Sequence, residues 1–172
     1  MTTATEYDLP SRSALQNNVH PPLAPPTLTL ADFPHLKNDC GWIVAYLRDV
    51  VKARKTGVHI LMAGPSGTGK GQFARLLVQA TGLCAFELGP NNSADDYYSA
   101  QGILQTHPGV IMVFKGAGTA AKYCDRLDSC ATPTIWISNK TSSMDDSILR
   151  RLAFQLELHQ PKYGQSPKES ST

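Results

Sequence analysis

The stretch Val58-His-Ile-Leu-Met-Ala-Gly64-Pro-Ser-Gly-Thr-Gly-Lys70 decides how the rest of the chain is read. An apolar run of strand length turns directly into a glycine-rich loop. The loop opens a segment, Gln72 to Gln79, that places Phe73, Leu76 and Leu77 on one helical face. A strand, a Gly-x-x-x-x-Gly-Lys loop and a helix are together the parts of a phosphate cradle. Glycines let the backbone wrap closely around an anion that side chains would exclude. The wrapped N–H groups and the positive end of the helix then hold the charge. Lys70 adds a mobile full charge toward the outer phosphates. The candidate binding set is therefore Gly64, Pro65, Ser66, Gly67, Thr68, Gly69, Lys70 and Gly71, and the ligand class is a nucleoside triphosphate.

Outward from the loop, strand-like and helix-like segments alternate. Upstream, Trp42, Ile43, Tyr46, Leu47, Val50 and Val51 recur at three- and four-residue spacing, which predicts an amphipathic helix over 39–55. Downstream, the pattern predicts a strand at Leu83–Phe86, a helix over about 93–105 and a strand at Val110–Phe114. A helix over 119–130, a strand at Thr134–Ile137, a short helix at Asp145–Arg151 and a last strand at Phe154–Leu158 complete the series. Five apolar strands alternating with helices imply an α/β domain, a mainly parallel sheet covered by helices on both faces. Residues 1–26, with Pro10, Pro21, Pro22, Pro25 and Pro26, read as a disordered arm, and 163–172 as a disordered tail. The folded domain is expected over 27–162.

Bulk properties narrow the partners. Hydrophobic content of 41% and charged content of 17% fit a soluble globular chain. A net charge of +2 gives no argument for nucleic acid or a membrane surface, so neither is expected as a partner. Cys40, Cys84, Cys124 and Cys130 show no paired spacing. That argues against a zinc site and for reduced thiols in the cytoplasm.

Three stretches together resemble the core of an AAA+ ATPase of the bacterial kind related to the classical AAA unfoldases. The first is His59-Ile-Leu-Met-Ala-Gly-Pro-Ser-Gly-Thr-Gly-Lys70 with Phe73-Ala-Arg-Leu-Leu77 behind it. The second, Pro133-Thr-Ile-Trp-Ile-Ser-Asn139, is similar to the sensor-1 strand. The third, Asp146-Ser-Ile-Leu-Arg-Arg-Leu152 with Phe154–Leu158, is similar to the helix and strand that carry interface arginines. The resemblance spans about residues 28–162 and implies a three-layer P-loop NTPase-type domain, ATP as ligand, and assembly with AAA+ subunits in homo- or hetero-oligomers. It also implies that Asn139 positions the attacking water, and that Arg150 or Arg151 reaches a neighbouring subunit's γ-phosphate. On the residues alone, Asn139 is equally readable as a turn residue closing a strand. The two arginines read, on the residues alone, more readily as complements to a helix's negative end.

The pattern departs from that family where the metal and the water are handled. Gly71 stands where a Ser or Thr hydroxyl binds Mg²⁺. Lys115 stands where the family has the metal-holding aspartate, and Gly116 where it has the catalytic glutamate. Loss of a general base alone removes a factor of about 10²–10⁴ in rate. Mg²⁺ binding and hydrolysis are therefore expected to be impaired or absent, and the amine of Lys115 is a candidate replacement for the metal at the γ-phosphate. Only 14 residues follow Leu158, too few for the helical lid such modules carry. Tyr97 and Tyr98 fall near the family's pore-loop position, although packing against the sheet is the favoured account of them. The expected role is a hydrolysis-deficient nucleotide-binding partner or regulatory subunit. A small nucleotide or metabolite kinase and a truncated, non-binding remnant are the alternatives.

Overall fold

The computed structural model describes residues 19–20, 25–116, 126–140 and 146–159. Six strands form one sheet: β1 (Val19–His20), β2 (His59–Ala63), β3 (Cys84–Leu88), β4 (Val110–Lys115), β5 (Thr134–Ser138) and β6 (Phe154–Glu157). Their spatial order is β1-β3-β4-β5-β2-β6. The last five are mutually parallel and are the five strands that the apolar runs predict. The strand carrying the glycine-rich loop is thus interior, with β5 on one side and the edge strand β6 on the other. Pairing is in step, with Ile60 opposite both Ile135 and Phe154, and Ala63 opposite both Ser138 and Glu157.

One pairing departs from expectation. Val19–His20, inside the stretch read as a disordered arm, runs antiparallel to β3, with Val19 opposite Leu88 and His20 opposite Glu87. The pairing satisfies the exposed edge of β3. Residues 1–18 and 21–24 of that arm, residues 119–125 of the helix predicted over 119–130, and the tail at 163–172 lie outside the described residues, and 126–129 form a 3-10 turn.

The helices are α1 (Lys37–Lys52), α2 (Lys70–Thr81), α3 (Ala94–Leu104) and the short α4 (Asp146–Leu149). Alternation along the strands divides the core into two layers. Ile60, Met62, Ala85, Ile111, Val113, Ile135 and Ile137 meet α1 and α2 on one face. Leu61, Phe86, Met112, Phe114 and Trp136 meet α3, α4 and the 3-10 turn at 126–129 on the other. Helix α1 buries Cys40, Ile43, Leu47 and Val50, the single stripe that its spacing predicts. Its Arg48 reaches across to the C-terminus of α2, donating to the carbonyls of Thr81 at 3.1 Å and Ala80 at 2.6 Å. That places a cation on otherwise unsatisfied carbonyls at the helix's negative end.

The α3 face holds a buried polar network. The Gln101 amide donates to the Thr132 carbonyl and accepts from the Thr132 N–H at 2.9 Å. It also donates to the hydroxyls of Tyr97 and Thr134. Tyr97 is fully buried against Trp136 and Phe114, so this tyrosine packs against the sheet. Tyr98 lies edge-on to it, with the Arg126 guanidinium 5.1 Å from its ring centroid.

His59, fully buried at the start of β2, is fixed in one tautomer. The Trp136 indole can only donate, so the Nδ1 atom of His59 accepts from it at 3.2 Å. The Nε2–H then donates to the Leu127 carbonyl at 2.8 Å. Burial holds this imidazole's pKa below its ordinary value. A proton on Nδ1 would face the indole N–H, so the folded state resists protonation more than the unfolded chain does. The stabilisation is fully present above the unfolded-state pKa of about 6.5 and is lost as pH falls below it toward the folded-state value. The melting temperature is therefore expected to decline as pH is lowered from 7.5 to below 6.5. His59→Gln, which keeps one donor and one acceptor, should flatten that part of the curve.

Candidate phosphate site

The loop Gly64–Gly69 joins the carboxyl end of β2 to the first turn of α2, at the edge of a parallel sheet where ligands of such folds bind. Gly64 is fixed by its surroundings. At φ 146° its backbone passes so near β6 that a Cβ would sit 2.2 Å from the Leu158 carbonyl oxygen. The main chains of the loop and of β6 are therefore pressed together, which only glycine permits. Thr68 closes the loop on itself, its hydroxyl donating to the Pro65 carbonyl at 2.9 Å.

Lys70 is almost wholly buried, and its amine donates to the carbonyls of Gly64 and Pro65, both at 2.7 Å. The charge is thus folded back onto the loop that it would serve. Burial lowers its pKa, because desolvation disfavours the ammonium. A phosphate taking the place of the two carbonyls would return a full counter-charge to that amine.

Lys115 and Glu87 lie at the same edge of the sheet as this loop. Both occupy the carboxyl ends of neighbouring strands, at the parity that faces α2. Their side chains form an ion pair, with the lysine about one-third exposed and the glutamate less. Lys115 also reaches the first turn of α2: a Cβ added at Gly71 would meet its Cε at 4.0 Å. Two positions that the family resemblance assigns to metal binding thus adjoin in space, and one of them supplies an amine. Gly71 is free of backbone constraint, being absent from the positive-φ glycines, and the space beside it would accept a side chain. Gly116 is different. It sits at φ 123°, and a Cβ there would lie 3.1 Å from the Cα of Pro90, so a side chain at this position would be strained and crowded.

These residues do not fit Mg²⁺. No hydroxyl is present at position 71, and the Gln72 side-chain carbonyl accepts from the Thr27 N–H at 3.0 Å. Among the described residues no three His, Cys, Asp or Glu side chains converge as a metal site. A divalent ion about 4 Å from an ammonium is repelled by about 8 kcal/mol at an effective dielectric of 20, before nearby carboxylates offset part of it.

The remaining candidates are distributed around the domain. Asn139 directly follows β5, whose Ser138 lies opposite Ala63, so Asn139 is exposed at the same sheet edge as the loop. Arg150 and Arg151 precede β6 and lie at its far end, away from the loop of their own chain. Arg151 donates to Asp128 at 3.1 Å and to the Ser147 carbonyl at 2.8 Å, whereas Arg150 is exposed. Asp128 is thereby committed to Arg151. With Arg126 over Tyr98 and Arg151 on Asp128, these two arginines do not gather at the phosphate loop. Glu87 is the residue the sequence did not place. The available signal was opposite charge at matching parity on adjacent strands.

The domain, with its sheet order β6-β2-β5-β4-β3 and the loop after β2, superposes on solved proteins. The domain has the fold of an AAA ATPase. C. elegans PCH-2 superposes with a TM-score of 0.55 at 16% identity, covering 72% of this chain and 42% of that one. A chain of the E. coli MS115-1 HORMA:CdnC:Trip13 complex gives 0.63 at 12% identity, covering 88% and 72%. The FIGL-1 AAA domain in complex with ADP gives 0.63 at 12% identity, covering 83% and 58%. At such identities the likeness is one of fold alone. The chain spans less than half the length of the PCH-2 chain that it matches. No protein-family model matches the sequence, and no curated protein is similar to it in sequence.

Because the Gly64 backbone is pressed against β6, Gly64→Ala is expected to cost about 1–3 kcal/mol or more. Gly71→Ser, at an ordinary helical position, should change stability by about 0.5 kcal/mol or less. Chemical denaturation of both variants checks the contrast.

Proposed function

We propose that this chain is an ATP-binding AAA-like domain whose hydrolytic machinery is impaired, acting in the cytoplasm as a partner or regulatory subunit of an ATPase assembly. The single observation that carries the proposal is the combination at the sheet edge. The strand–loop–helix cradle and Lys70 are in place, while Gly71, Lys115 and Gly116 stand where metal and water would be handled. Gly64 to Gly71 would wrap the phosphates with backbone N–H groups, and the positive end of α2 would face them. Lys70 would exchange its two carbonyl partners for phosphate oxygens.

Asn139, at the same edge, is proposed to contact the terminal phosphate or its nearest water. Arg150 is proposed to reach the nucleotide of an adjacent subunit, since it is exposed and faces away from its own loop. Arg151, engaged within its chain, would hold the turn that presents Arg150. ADP in the FIGL-1 AAA domain and the multi-protein complex containing Trip13 support nucleotide binding and assembly as roles for this fold.

A thermal-shift titration tests the reading. At ATP concentrations 100-fold above Kd, binding to the native state stabilises by about 2.7 kcal/mol, or about 5–10 °C for a domain of this size. Lys70→Ala should abolish the shift; survival of the shift in that variant places the nucleotide elsewhere. Phosphate release is expected to be about 10²-fold or more below that of an AAA+ enzyme with its general base intact.

A further inference from the structure

We infer that Lys115 is a built-in counter-ion for the triphosphate, so that the site takes metal-free nucleotide in preference to its Mg²⁺ complex. The inference rests on the nucleotide-binding reading above and names the form of the ligand. Three observations carry it. The Lys115 side chain passes beside Gly71 at the first turn of α2, where the cradle's positive end faces an incoming phosphate. No hydroxyl competes for that space, and no cluster of metal ligands lies among the described residues. The amine is retained by Glu87 from the neighbouring strand, on the same face of the sheet.

The pair gives the site two states. Without ligand, Lys115 and Glu87 neutralise one another, and the lysine's stem lies along α2. With a triphosphate present, the ammonium gains an acceptor carrying several negative charges, and its four-carbon stem lets the amine pivot away from Glu87. Free ATP brings about four negative charges and MgATP about two, so a site that already supplies two ammonium groups favours the free form electrostatically. Glu87 then opposes binding, because anion capture must break its ion pair and leave it beside a phosphate. It tunes affinity downward and makes the loop selective for highly charged groups over monophosphates.

Isothermal titration of the full chain with ATP, in EDTA and separately in excess Mg²⁺, tests the inference. The dissociation constant in EDTA should fall below that in Mg²⁺. Lys115→Gln should raise it about tenfold or more in EDTA, Lys115→Arg should retain binding, and Glu87→Gln should tighten it. Equal or tighter binding in Mg²⁺ by a protein that binds ATP overturns the inference and leaves the nucleotide reading standing. So does an unchanged dissociation constant in Lys115→Gln. Absence of ATP binding under both conditions overturns the nucleotide reading itself, and this inference with it. Circular dichroism establishes that Lys115→Gln is folded; should it not be, the Lys115→Arg variant and the wild-type metal comparison decide.

Discussion

The contact between Lys115 and Glu87, set against the first turn of α2, organises the carboxyl edge of the sheet. A parallel sheet with helices on both faces collects N–H groups and helix dipoles at that edge, which makes it attractive to anions and hostile to unpaired cations. A domain that binds a triphosphate with Mg²⁺ offsets this field with carboxylates and a hydroxyl around the metal. Here an ammonium occupies the same region, and its partner comes from β3, across the gap between two strands. The amine of Lys70 is likewise satisfied internally, by carbonyls of its own loop. The amines of Lys70 and Lys115 therefore both rest on partners that an anion could replace.

The scaffold that presents them is tightly defined. The Gly64 backbone abuts Leu158, and the in-step pairing of β2 with β5 and β6 fixes the loop's height above the sheet. On the opposite face, the Gln101 amide and the His59–Trp136 pair bury polar groups with their hydrogen bonds completed. Such groups cost little when satisfied and much when broken, so they tie α3 and the 126–129 turn to the sheet in one arrangement. Gly116 extends this order to the end of β4, because its positive φ beside Pro90 disfavours any side chain there.

Much of this was legible in the sequence because it is local. Five apolar runs became five parallel strands, and the Gly64–Lys70 spacing became a strand–loop–helix turn, since both depend on short-range patterning. The register that assigns Lys115 to the end of β4 also followed from the apolar run before it. What escaped depends on pairing between distant segments. Val19–His20 joins the sheet although the residues around it are rich in proline, because the exposed edge of β3 supplies the partner. Glu87 could not be assigned to the site until β3 and β4 were known to be neighbours with Glu87 opposite Val113. The two arginines before β6 read alike in sequence, and only Asp128 and Ser147 distinguish the tethered Arg151 from the exposed Arg150.

The central claim is that an ammonium stands in for the metal at a nucleotide cradle. A crystal structure of the chain with ATP, grown in excess Mn²⁺ and measured for anomalous scattering, tests it most directly. The Lys115 Nζ is expected within hydrogen-bond distance of a β- or γ-phosphate oxygen, its bond to Glu87 broken, with no anomalous peak between the phosphates and Gly71. A manganese ion bridging the phosphates, with Lys115 still paired to Glu87, would contradict it.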